Sequence, residues 1–136
     1  MSQASWKKLA AELVENGIES KYLSRVQARV TPEERLESVE QEILQEMAGA
    51  LGRSEDRVNL ALAELELLGV RHQRAAAGER SALVRAFNAQ RIVAQAKLRE
   101  LLIHREAVGF RRNQILSELY PIPARLPEDS GSDRSE

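Results

Sequence analysis

The chain contains no cysteine. That excludes disulfides, iron–sulfur clusters, thiolate metal sites and cysteine nucleophiles. Aromatic residues are scarce: Trp6, Tyr22, Phe87, Phe110 and Tyr120 are all there are. A surface that stacks single-stranded bases is therefore poorly supplied. No run of about 18 apolar residues occurs, so no membrane-spanning helix is expected. The first residues, Met-Ser-Gln-Ala-Ser-Trp-Lys-Lys, lack the apolar stretch of a secretory signal. A cytoplasmic protein is expected, bacterial in style on its Arg, Ala and Leu content. β-branched residues are sparse, and no segment alternates apolar with polar positions, which argues against strands.

What is abundant is Ala, Leu, Glu, Arg and Gln, the strongest helix formers. The fold class expected is all-α. The charges fall into two blocks. Residues 33–66 carry ten acidic and three basic side chains, and residues 71–112 carry ten basic and three acidic, beneath a net charge of -1. Two neighbouring helices of opposite sign suit an antiparallel pair, and a short connection favours that arrangement.

The 136 residues suggest one domain. Residues 1–30 read as short N-terminal helices, 31–123 as the helical core and 124–136 as a disordered tail. Trp6, Leu9, Ala10, Leu13 and Val14 recur at helical spacing, and Asn16-Gly17 stops that helix. Tyr22, Leu23, Val26 and Val30 line a second helix over 19–30. Thr31-Pro32-Glu33-Glu34 is a helix start, with a capping threonine, a first-turn proline and acids at the positive end of the dipole.

From Leu36 one stripe runs through Val39, Ile43, Met47, Ala50 and Leu51, and Val58, Leu62, Leu65 and Leu68 continue it. Residues 32–75 form either one helix or two broken at Gly52, ending at Gly69 or at Ala75-Ala76-Ala77-Gly78. A second long helix is expected from Ser81 to about Val108. Its inner face comprises Leu83, Val84, Phe87, Gln90, Val93, Ala94, Leu98, Leu101 and Leu102, and Gly109 is its stop. A final helix over 113–120 is expected to bury Ile115, Leu116 and Leu119, with Pro121 and Pro123 ending it. The architecture predicted is an antiparallel hairpin of long helices with short flanking helices. It is a bundle expected to be completed by dimerisation, because long helices with wide apolar stripes need more cover than the short ones supply.

The sharpest local pattern is Ala48, Gly52 and Val58 at spacings of four and six, with Ser54 placed to cap a helix. It resembles the helix-turn-helix of bacterial transcription regulators. The resemblance implies DNA contacts from Arg53, Ser54, Arg57 and Asn59. Glu55 and Asp56 stand against it, since they repel phosphate. The preferred reading is one long helix whose glycines allow close packing, with Arg53, Arg57 and Asn59 largely exposed. A second set of features comprises residues 36–68 with Ala50-Leu-Gly-Arg53 at their centre, His104-Arg-Glu-Ala-Val-Gly109-Phe-Arg, and Tyr120-Pro-Ile-Pro. Together they resemble a small bacterial all-helical family of unknown function. That resemblance implies these features share one fold and carries no activity.

Arg85, Arg91, Lys97, Arg99 and Arg105 recur along one helix. Pairing with the acidic helix is preferred over a nucleic-acid surface. Glu100 and His104 lie four apart, but no second pair joins them to make a metal site, and a helix-terminal histidine meeting the dipole is preferred. No phosphate loop or Ser/His/Asp order is present. The expectation is therefore a non-enzymatic interaction module without metal or cofactor. It would act as a homodimer or with a protein partner, DNA binding being the disfavoured alternative and a membrane not being expected.

Overall fold

A computed structural model describes residues 3–27 and 39–128, and among these it contains five helices and no strand. They are α1 (Gln3–Glu15), α2 (Lys21–Gln27), α3 (Val39–Arg74), α4 (Ala77–Ala107) and α5 (Ile115–Leu119). The long helices α3 and α4 pack against each other as an antiparallel hairpin. The expected Thr31-Pro32 helix start lies outside the described residues.

Two helix ends follow directly from glycine. Gly17 has φ 71° and Gly109 has φ 101°, a region in which a side chain is strained. At the end of α1, the amide of Gly17 donates to Val14 O at 3.0 Å and that of Ile18 to Leu13 O at 3.0 Å. At the end of α4, Gly109 donates to Glu106 O at 3.1 Å and Phe110 to Arg105 O at 2.9 Å. Both are Schellman motifs, which satisfy carbonyls the helix leaves open. The second is reinforced by the Arg105 guanidinium, 4.5 Å from the centre of the Phe110 ring.

Gly52 does not break α3, and neither does Gly69. One helix of 36 residues runs through both, about 54 Å long at 1.5 Å per residue. A glycine costs a helix interior only about 1 kcal/mol, and the continuous stripe packed on α4 outweighs that. The connection to α4 is just Ala75 and Ala76. The helix therefore begins four residues earlier than Ser81, where the amide of Ala76 donates to Glu79 Oε1 at 3.4 Å.

Val58, Leu62 and Leu65 of α3 join Phe87, Ala94 and Leu101 of α4 in the core, each at most 5% exposed. Burial of one such large side chain contributes about 1.5–3 kcal/mol. Leu9 and Leu13 of α1 and Tyr22 and Leu23 of α2 extend the same cluster. Glu12 Oε2 of α1 pairs with Arg71 Nη2 of α3 at 2.9 Å. Ser20 caps α2, its Oγ accepting from Leu23 N at 3.2 Å, and donates to Glu66 Oε1 of α3 at 2.6 Å.

The last helix is shorter than expected. Leu116 is buried, but Ile115 and Leu119 are 47% and 41% exposed. The tail is not wholly free either. Asn88 of α4 receives Leu126, its Oδ1 accepting from Leu126 N at 2.9 Å and its Nδ2 donating to Leu126 O at 3.0 Å. Arg91 Nε donates to Pro123 O at 2.7 Å. Within the expected tail 124–136, Asn88 thus satisfies both backbone groups of Leu126, which water would otherwise hold. Residues 129–136 lie outside the described ones.

Candidate interaction surface

Helix α4 carries apolar residues on two sides, interspersed with charged ones on the outer side. One face carries Val84, Phe87, Ala94 and Leu101 into the core. Gln90 Nε2 on its flank reaches Ala61 O of α3 at 3.2 Å. The opposite face carries Ala82, Ala89, Ala96 and Ile103 at seven-residue intervals, with Ile92 and Val93 between them. Ala82 and Ala89 are exposed and Ala96 is half-buried. Ile92 is 64% exposed, Ile103 55% and Val93 42%. Val93 was expected on the inner face and lies instead at the edge of the outer one. Single exposed apolar residues are ordinary, but a contiguous face of them marks an interaction site.

The other flank of the hairpin is covered. There α2, α5 and the segment 121–126 pack together around Arg25. Its Nη1 donates to Asn59 Oδ1 at 3.2 Å and to Leu119 O at 3.1 Å. Its guanidinium lies 5.3 Å from the Tyr22 ring and 5.5 Å from the Tyr120 ring. Thus one cation ties α2, α3 and the end of α5 together.

The basic side chains of α4 divide between the two flanks. Arg91 holds Pro123, and Arg105 holds the segment after α4, donating to Asn113 Oδ1 at 2.7 Å and to Arg112 O at 3.3 Å. Arg85 and Arg99 are exposed on the outer side together with Glu100 and Glu106. Lys97 Nζ is 3.9 Å from Glu100 Oε1. The expected pairing of α4 arginines with acidic α3 gives way, at Arg91 and Arg105, to contacts with the chain beyond α4.

The residues implied by the helix-turn-helix resemblance do not form one surface. No turn separates two helices at Gly52. Ser54 lies mid-helix, 1% exposed, with its Oγ lacking a hydrogen-bond partner. Asn59 is also 1% exposed. It is held between Arg25 and Glu55 O, to which its Nδ2 donates at 3.0 Å, so the expectation of an exposed Asn59 is corrected. Arg53 is exposed and Arg57 half-buried. Ser54 and Asn59 are thus both buried inside the fold, Asn59 tied to α2 through Arg25.

A cleft of about 480 Å³ opens between α2, α3, α4 and the proline segment, walled by Ile18, Tyr22, Leu65, Phe87, Pro121 and Pro123. Its carboxylate, Glu66, already accepts from Ser20. At the open end of the hairpin, Ile43, Leu44 and Met47 of α3 are 54%, 64% and 37% exposed. Gln90 opposite Ala61 places Ala107 level with about Leu44, so the α3 stripe outruns its partner helix there.

Among the described residues no helix is long and apolar enough to cross a membrane, and no three metal-ligating side chains converge. The chain matches no protein-family model, no curated protein and no solved structure.

Proposed function

We propose that the chain is a non-enzymatic assembly module that acts as a homodimer, and on composition we place it in a bacterial cytoplasm. The observation that carries this reading is the outer face of α4. Ile92 and Ile103 are more than half exposed on a helix whose opposite face is fully packed. A helix apolar on both sides is stable in water only when both sides are covered. The contiguity of the face, rather than any single residue on it, supports a protein partner. The site offers no nucleophile–base pair and no convergent polar groups, so its chemistry is that of contact.

Light scattering across a concentration series tests the reading. The wild-type chain should move from monomer mass towards dimer mass as concentration rises. The double variant Ile92→Gln, Ile103→Gln should stay monomeric with unchanged helical circular dichroism. A wild-type chain that is monomeric at every concentration overturns the proposal.

A further inference from the structure

We infer that the second copy docks along the outer face of α4 with its own α4 running antiparallel, the two-fold axis passing close to Ala96; this rests on the homodimer reading above. Three features of the face select that arrangement.

The first is side-chain size. Ala82, Ala89 and Ala96 occupy three successive positions of a seven-residue repeat, and Ile103 the fourth. In a parallel pair each residue faces its own copy, so two isoleucines collide at one end while alanines leave a gap at the other. In an antiparallel pair centred on Ala96, Ala89 faces Ile103 of the second copy and Ile103 faces its Ala89. Large then meets small at both ends, which is how packed layers interdigitate. The alanine at the centre lets the two backbones approach towards the short end of the usual 8–10 Å interaxial range.

The second is charge order. Arg85, near the start of α4, is exposed within this face and Glu106, near its end, at its edge, with Arg99 and Glu100 exposed between them. Antiparallel docking about Ala96 sets Arg85 level with Glu106 of the second copy, twice by symmetry. Parallel docking sets Arg85 on Arg85 and Glu106 on Glu106, and like charges directly opposed are destabilising. The third is the helix dipole, whose positive and negative ends neutralise each other in the antiparallel pair alone. An isologous contact of this kind closes at two copies, because the same patch serves both subunits.

The absence of cysteine makes the geometry directly testable in the full chain. Single variants Ala96→Cys and Ala82→Cys are treated with a short bis-thiol reagent, as is an equimolar mixture of the Ala82→Cys and Ala107→Cys chains. Ala96→Cys should crosslink to itself efficiently. Ala82→Cys alone should not, since in this register its copy lies roughly 40 Å away, whereas the mixture should give the heterodimer. The charges are tested by Arg85→Glu, expected to weaken dimerisation about fivefold. Glu106→Arg should do the same, and the double swap should restore it.

A dimer in which Ala82→Cys crosslinks to itself is parallel and overturns this inference while leaving the homodimer reading intact. A dimer that crosslinks at none of these positions uses another surface and does the same. A chain that never dimerises removes both.

Discussion

The two flanks of the α3–α4 hairpin are treated oppositely by the chain. One is braced: α2, α5 and the segment 121–126 lie against it, and Arg25, Asn88 and Arg91 fasten them through side-chain-to-backbone bonds of 2.7–3.1 Å. The other flank has α1 beside the far end of α3 and then the outer face of α4, which none of the described helices covers. The difference concerns the supply of cover. Of the flanking helices, α2 and α5, with 7 and 5 residues, lie on the braced side, and α1, with 13, lies against α3 on the other. Among the described residues, Ile92 and Ile103 on the outer side of α4 are left exposed where these helices run out, and that is where the proposed second copy would dock.

The most direct way to break this comparison is to truncate one residue on each side of α4. Leu101 is fully buried, whereas Ile103 is 55% exposed. Leu101→Ala should cost the monomer about 3 kcal/mol, through lost burial and the cavity left behind. Ile103→Ala should cost less than about 0.5 kcal/mol at concentrations where the chain is monomeric. Urea melts of dilute protein measure both, and equal costs would mean that the outer face is covered within one chain.

The braced flank can be loosened at its fastening. Arg25→Ala removes two hydrogen bonds and two ring contacts and leaves the buried Asn59 oxygen unpaired. An unmatched buried polar group costs about 1–3 kcal/mol, so a loss of about 2.5 kcal/mol is expected by thermal or urea unfolding. A milder cut is to end the chain at Ala124. That removes both bonds to Asn88 and the partial burial of Leu126, for a loss of about 1.5 kcal/mol. A melting temperature unchanged by this truncation would show that residues 125–128 do not dock in solution.

Helix α3 buries an unmatched hydroxyl, and removing it should raise stability. The Ser54 hydroxyl is buried without a hydrogen-bond partner. Ser54→Ala deletes that group and improves helix propensity. A gain of about 0.5–1 kcal/mol is expected in the same melts, and a loss would indicate that the hydroxyl is satisfied by water.

How much of this was legible depends on whether the signal is local. Gly17 and Gly109 were readable as helix stops because their backbone conformation all but demands glycine. The hairpin was readable from periodicity and from the shift in charge along the chain. The end of α3 at Ala75-Ala76 was one of the two expected stops, but the start of α4 at Ala77 rather than Ser81 was not legible, since alanine is the best helix former and marks no boundary. The inward position of Asn59 was missed because a polar residue is assigned by default to the outside. Its signal lay in another helix, at Arg25. The docking of Leu126 was hidden in the same way, the evidence residing in Asn88, 38 residues away. The outer face of α4 was present in the sequence as a seven-residue alanine repeat. It went unread because attention to one apolar stripe does not ask whether the helix carries a second.

Glu64 gives the smallest test, at the boundary between the flanks. It lines both the crevice against α1 and the shallow groove beside Val93 and Lys97. Burial raises its pKa above the usual 4.5, and the nearby Glu12 carboxylate raises it further. A carboxyl whose folded pKa lies above its unfolded value binds its proton more tightly in the native state. Its destabilising effect is therefore fully present above the folded pKa and disappears below the unfolded one. Glu64→Gln should accordingly be more stable than wild type at neutral pH, by no more than about 0.5 kcal/mol because the site is partly solvated. As pH falls through the raised pKa and below the ordinary carboxylate range, the advantage should vanish and the two chains melt together. Paired melts at neutral and acid pH read the difference. An advantage that persists unchanged at low pH would assign it to packing rather than charge, and would place Glu64 under the full cover of α1 instead of at its edge.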